Sequence, residues 1–87
     1  MEESLIISFA STNYAMQTEA CLKAQGITIQ IMPTPREITL SCGLSIKTAV
    51  DNLDKIKMLV DNKKITIKAL YLLKIIDKQR VLESIDF

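Results

Sequence analysis

Residues 4–32, SLIISFASTNYAMQTEACLKAQGITIQIM, set the architecture, because they pass through strand, helix and strand with no break long enough to separate domains. Ser4 to Ala10 is a short apolar run of β-branched and aromatic residues, which suits a buried central strand. Ser11, Thr12 and Asn13 are all good N-cap types. The helix formers from Tyr14 to Gln25 run up to Gly26, a residue that readily takes the left-handed conformation after a helix. Ala15, Thr18, Glu19 and Leu22 share one stripe of this predicted helix. Ile27 to Met32 then alternates Ile27, Ile29 and Ile31 with Thr28, Gln30 and Met32, the period-two pattern of a strand with one buried face.

The plan then repeats. Gly43 to Thr48 (GLSIKT) alternates with Leu44 and Ile46 inward, predicting a third strand antiparallel to the second. Asp51 serves as an N-cap with Asp54 in the first turn, near the positive end of the helix dipole, and Leu53, Ile56, Leu59 and Val60 supply the apolar stripe. Ile65 to Leu73 (ITIKALYLL) supplies a fourth strand. Two interleaved βαβ units of similar length predict an α+β fold, the ferredoxin-like βαββαβ sandwich: a four-stranded antiparallel sheet with two helices on one face. Residues 1–74 make that core of a single domain and 75–87 an extension. In the extension Val81, Leu82 and Ile85 fall at helical spacing, with Lys78, Arg80 and Glu83 outside the stripe, so a short C-terminal helix or tail is expected to cover a sheet face or meet a second copy of the chain.

Composition prunes the functional classes. A chain of 87 residues supports one core. Its 11 basic and 10 acidic residues leave a net charge of +1, without the concentrated basic face of a nucleic-acid binder. The apolar run Leu5 to Ala10 is far shorter than a signal or membrane segment, so a cytoplasmic protein with no membrane partner is expected. The absence of histidine removes the usual general base, the usual metal ligand and every Cys-His or Ser-His pair. Cys21 and Cys42 form no C-x-x-C motif, which argues against a metal-chaperone role, and neither metal nor cofactor is expected. An RNA-recognition sheet needs aromatic residues on its central strands, and only Phe9 is offered.

One segment stands out. Pro33 to Gly43 (PTPREITLSCG) is much longer than an ordinary hairpin loop. Pro33 and Pro35 stiffen its departure from the second strand and are expected to lift Arg36 away from the sheet, while Gly43 permits close approach beside Cys42. A neighbouring cation or converging N–H groups lower a thiol pKa from its free value of ~8.5 and enrich the nucleophilic thiolate. Arg36 is the nearest strong cation in the loop. Thr39 and Ser41 add hydroxyls, and Glu37 is positioned to neutralise Arg36 instead. Sequence leaves Arg36's choice of partner open. It also leaves two readings of Cys42: a small buried hydrophobe at the start of a strand, or a reactive thiol. For Cys21, on the first helix beside Leu22, packing is the favoured reading.

The run P-R-E-I-T-L-S-C-G-L, from Pro35 to Leu44, resembles the signature of the selenium/sulfur (Se/S) carrier protein-like family, a small bacterial and archaeal domain of unknown function. Ser11-Thr12, Ala15, Glu19, Leu22-Lys23 and Gly26-Ile27 also follow its pattern, so the resemblance spans about the first three-quarters of the chain. It implies a compact α/β domain whose cysteine holds sulfur or selenium as a persulfide or selenopersulfide. By position that cysteine is Cys42, with Pro35, Arg36, Glu37, Ser41 and Gly43 as motif neighbours. Family members often carry a histidine near the start of the first helix, where this chain has Asn13-Tyr14. Two functions follow. In one, Cys42 relays sulfur or selenium between a donor and an acceptor protein, a carrier more than a complete enzyme. In the other, the domain is a non-catalytic module for a small ligand, a protein or a second copy.

Overall fold

The structure, a computed structural model, describes residues 2–38 and 43–87. Along the chain run β1 (Glu2–Ser8), α1 (Thr12–Ala24), β2 (Ile29–Pro33), β3 (Leu44–Thr48), a 3-10 turn (Val50–Asn52), α2 (Leu53–Asp61), β4 (Ala69–Ile76) and β5 (Gln79–Ile85). The strands form one sheet in the order β2-β3-β1-β4-β5, and every neighbouring pair is antiparallel. The domain is thus α+β, with five strands where four were expected.

The register separates the two sheet faces. Ile7 of β1 lies opposite Ile46 of β3 and Leu70 of β4, and Leu5 lies opposite Thr48 and Leu72, so these residues share a side. Ala15 and Leu22 of α1 and Ile56 of α2 pack against that side with Phe9, Ile27 and Ile65 to make the main core. Both helices therefore cover one face. Leu5, Ile7, Phe9, Leu22, Ile46, Ile56 and Leu70 are wholly excluded from solvent. Each such side chain contributes about 1.5–3 kcal/mol relative to leaving it in water.

Local signals account for most boundaries. Ser11 caps α1, its side chain accepting from the Tyr14 N–H at 3.4 Å. Gly26 follows with φ +76°, and Ile27 N–H donates to the Leu22 carbonyl at 3.0 Å. Buried Ala15, Thr18 and Leu22 mark the inward stripe, whereas Glu19 turns outward to Lys23 at 3.3 Å. Asp51 sits within the 3-10 turn rather than capping α2. Asn52 ties the start of that helix to the sheet: its Nδ2 donates to Thr48 Oγ1 at 2.9 Å, and Thr48 Oγ1 donates to the Thr28 carbonyl at 2.8 Å.

The expected C-terminal helix is corrected to a strand. β4 extends to Ile76, and Asp77 (φ 51°) and Lys78 (φ 66°) form the two-residue turn that returns the chain as β5. Positive φ at both turn positions matches the right-handed twist of a hairpin. As a strand, the segment points successive side chains to opposite faces. Leu82 packs on the face away from the helices, and Ile85 packs against the main core.

Candidate functional site

The face opposite the helices carries Ile6, Tyr71, Leu73, Ile75, Leu82 and Met32, and the long β2–β3 loop supplies Ile38 to the same cluster. Ile38 is only 7% exposed. The described part of the loop is therefore anchored on the sheet through Ile38. Burial of one apolar side chain offsets the entropic cost of ordering a residue or two.

A turn sets the geometry. Ile38 N–H donates to the Pro35 carbonyl at 3.0 Å, which places Arg36 and Glu37 at the two corner positions between them. Pro35 and Ile38 are buried, so the corner residues project outward, and both are exposed. Glu37 pairs with Arg80 of β5, Nη2 to Oε1 at 3.3 Å, across 43 residues of sequence. Arg36 makes no ion pair among the described residues. The charge that sequence set beside Arg36 is thus held by a cation from another element.

The loop's neck is closed by the Thr34 N–H, which donates to the Gly43 carbonyl at 2.9 Å, next to the Pro33–Leu44 strand pair. Gly43 has φ +89°, a left-handed value that disfavours any side chain there. Thr34 Oγ1 and Ser45 Oγ are hydrogen-bonded at 2.8 Å. Ser45 faces Ser8 across the sheet, and the buried Ser8 hydroxyl finds no partner among the described residues. A polar strip of Thr34, Ser45 and Ser8 hence leads from the neck onto the sheet.

Of the site residues expected from sequence, Pro35, Arg36 and Glu37 are brought together in one turn, and Gly43 stands at the neck. Ser41 and Cys42 lie outside the described residues, as does Thr39. Cys21 is a free, partly buried thiol packed against the main core, as its helix position suggested. Sequence reading missed Ile38, Arg80, Thr34 and Ser45. An isoleucine in the middle of a polar loop was the available signal for docking. Nothing local marks Arg80 as the partner of Glu37. No group of metal-binding side chains occurs among the described residues, and no helix is long and apolar enough to cross a membrane.

Fold and loop define the class: a two-helix, five-strand α+β domain whose β2–β3 connection places Ile38 on the sheet face opposite the helices. The family model described as "Putative Se/S carrier protein-like" matches residues 4–72, and the chain belongs to that family. The matched span includes the whole loop and ends within β4; β5 lies beyond it. No curated protein and no solved structure gives a match.

Proposed function

We propose that the protein is a carrier of sulfur or selenium that holds the atom on Cys42 and exchanges it with a donor and an acceptor protein. Family membership across residues 4–72 is the observation that carries this reading, because the match takes in Cys42 and every loop residue around it. The scaffold is read as a ferredoxin-like core, formed by β1 to β4 with both helices, to which β5 is added.

The chemistry needs no external oxidant. The Cys42 thiolate attacks the terminal sulfur of a donor persulfide; the donor's S–S bond breaks, a new S–S bond forms on Cys42, and the donor departs as a thiolate. A selenopersulfide donor hands over selenium in the same way, through S–Se bonds. In the second half a nucleophile on the acceptor takes the terminal atom, and Cys42 leaves as thiolate. Arg36, unpaired among the described residues, favours that anion in both steps. Pro35 and Gly43 flank the segment that bears it, and Ser41 is its neighbour in sequence.

Cys42→Ser separates this function from that of a binding module. Exposed to a low-molecular-weight persulfide, the parent protein gains one sulfur on Cys42, while the Cys42→Ser variant gains none and Cys21→Ser behaves as the parent. Equal labelling of Cys21 and Cys42, or cellular activity unchanged in Cys42→Ser, refutes the carrier function.

A further inference from the structure

We propose that the outer edge of β5 docks a second copy of this chain, which pairs with it antiparallel about a two-fold axis at Leu82 and doubles the sheet. The sheet is open, with β2 at one edge and β5 at the other. An edge strand presents N–H and C=O groups that another strand can complete. The two edges differ in what they offer. Bonds in an antiparallel pair alternate, so every second residue turns its backbone groups away from the neighbouring strand. In β2 the bond from the Thr34 N–H to the Gly43 carbonyl sets the phase: Met32 and Gln30 bond to β3, and Ile29, Ile31 and Pro33 face outward. Pro33 thus puts a residue without an N–H at an outward position of a strand only five residues long, and the β2 edge is blunted.

β5 has neither device. Its hairpin closes with Ile76 opposite Gln79 across the Asp77-Lys78 turn, a pair that exchanges both hydrogen bonds. Gln79, Val81, Glu83 and Ile85 therefore bond to β4, and Arg80, Leu82 and Ser84 face outward. The strand is seven residues long without proline, and among the described residues no backbone bond reaches its outer edge. The three outward residues are evenly spaced about Leu82, and that symmetry favours a second copy over an unrelated strand. Two copies paired there exchange bonds between Leu82 and Leu82 and between each Arg80 and Ser84, which leaves none of the outward groups orphaned. The side chains agree. Leu82 meets Leu82 on the face away from the helices, joining the clusters of Ile6 and Leu73 in the two copies. On the other face Val81, 38% exposed, comes opposite Glu83 and diagonal to Ile85. Charges that normally guard an edge are already paired within each copy, Arg80 with Glu37 at 3.3 Å and Glu83 with Lys74 at 3.2 Å, and no like charges fall opposite one another. Both β2–β3 loops then start from one face of the doubled sheet, opposite the helices of both copies.

Two seven-residue edges bury less than the ~1,200 Å² of a stable interface, so the dimer is reversible, with a dissociation constant on the order of 100 µM. Sedimentation equilibrium of the full chain, over concentrations that span this value, should show the mean mass rising from monomer towards dimer. Amide exchange followed by NMR over the same range locates the joint: the Arg80, Leu82 and Ser84 N–H groups gain protection with concentration, and those of Ile29 and Ile31 do not. Ser84→Pro removes one bridging donor from each copy and spares the β4–β5 ladder, because the Ser84 N–H faces away from β4. It is expected to weaken dimerisation at least about tenfold, against less than about twofold for Ser84→Ala. Thermal unfolding of the dilute variant checks that the hairpin survives; should it not, the exchange pattern of the parent decides. A concentration-dependent gain at Ile29 and Ile31 instead, or a folded Ser84→Pro variant that dimerises as the parent does, overturns the proposal. A parent chain that stays monomeric throughout also overturns it, and protection of its β5 amides by an added alternating Val-Thr peptide would reassign the edge to a strand from another protein. No sulfur chemistry enters these readings, so they are decided apart from the carrier function.

Discussion

Replacing Ile38 with alanine should release the loop from the sheet, and the size of the loss can be worked from its surroundings. Ile38 is 7% exposed and packs with Ile6 and Leu73, so the substitution strips three buried carbon groups from that contact. At about 0.8 kcal/mol for each, the transfer term is about 2 kcal/mol. A rigid core would add a cavity term, but a loop can collapse or detach, and detachment caps the cost at the free energy of docking. The expected loss is therefore about 2 kcal/mol, or a fall in melting temperature of roughly 8–16 °C for a domain of this size. Urea denaturation of the parent, Ile38→Ala and Ile31→Ala measures it. Ile31, 39% exposed on the edge strand, is the control and should cost under about 1 kcal/mol. An Ile38→Ala variant as stable as the control would refute docking of the loop, and with it the apposition of Glu37 and Arg80.

Other substitutions test the scaffold. Lys78 occupies the left-handed region at φ 66°, so Lys78→Gly should stabilise the β4–β5 hairpin by about 1 kcal/mol in thermal denaturation; a loss would contradict the turn conformation. Ser11→Ala removes the cap of α1. Its bond to Tyr14 is long at 3.4 Å, so a loss near about 0.5–1 kcal/mol is expected in urea titrations, and none would mean that another group caps the helix. Ser8→Ala deletes a buried hydroxyl without a partner among the described residues, and should be neutral or slightly stabilising by the same assay. A loss beyond about 1 kcal/mol would show that this hydroxyl is bonded.

The elements legible in sequence were those whose pattern reports a single environment. The centre of β1, Leu5 to Ile7, is buried on both faces and reads as an apolar run; α1 announces itself through Ser11 and Gly26. The tail was illegible for the opposite reason. β5 is an edge strand that places Leu82 on one face and Ile85 on the other, so its apolar residues follow no clean alternation, and Val81, Leu82 and Ile85 imitate a helix stripe. Its turn, Asp77-Lys78, lacks the glycine that normally marks a tight hairpin. In the loop, the turn around Arg36 and Glu37 is a local matter that Pro35 foreshadows. The partner of Glu37 is not, since Arg80 reaches it only after two further strands have been laid across the sheet.

The most direct measurement of the carrier chemistry is a load-and-discharge experiment followed by intact mass spectrometry. Protein treated with an isotopically labelled persulfide, freed of excess donor and then given an acceptor thiol should first gain one labelled sulfur on Cys42 and then lose it, returning to its starting mass with the label on the acceptor. A Cys42 that never takes up the label, or that keeps it in the presence of acceptor thiol, would contradict the account.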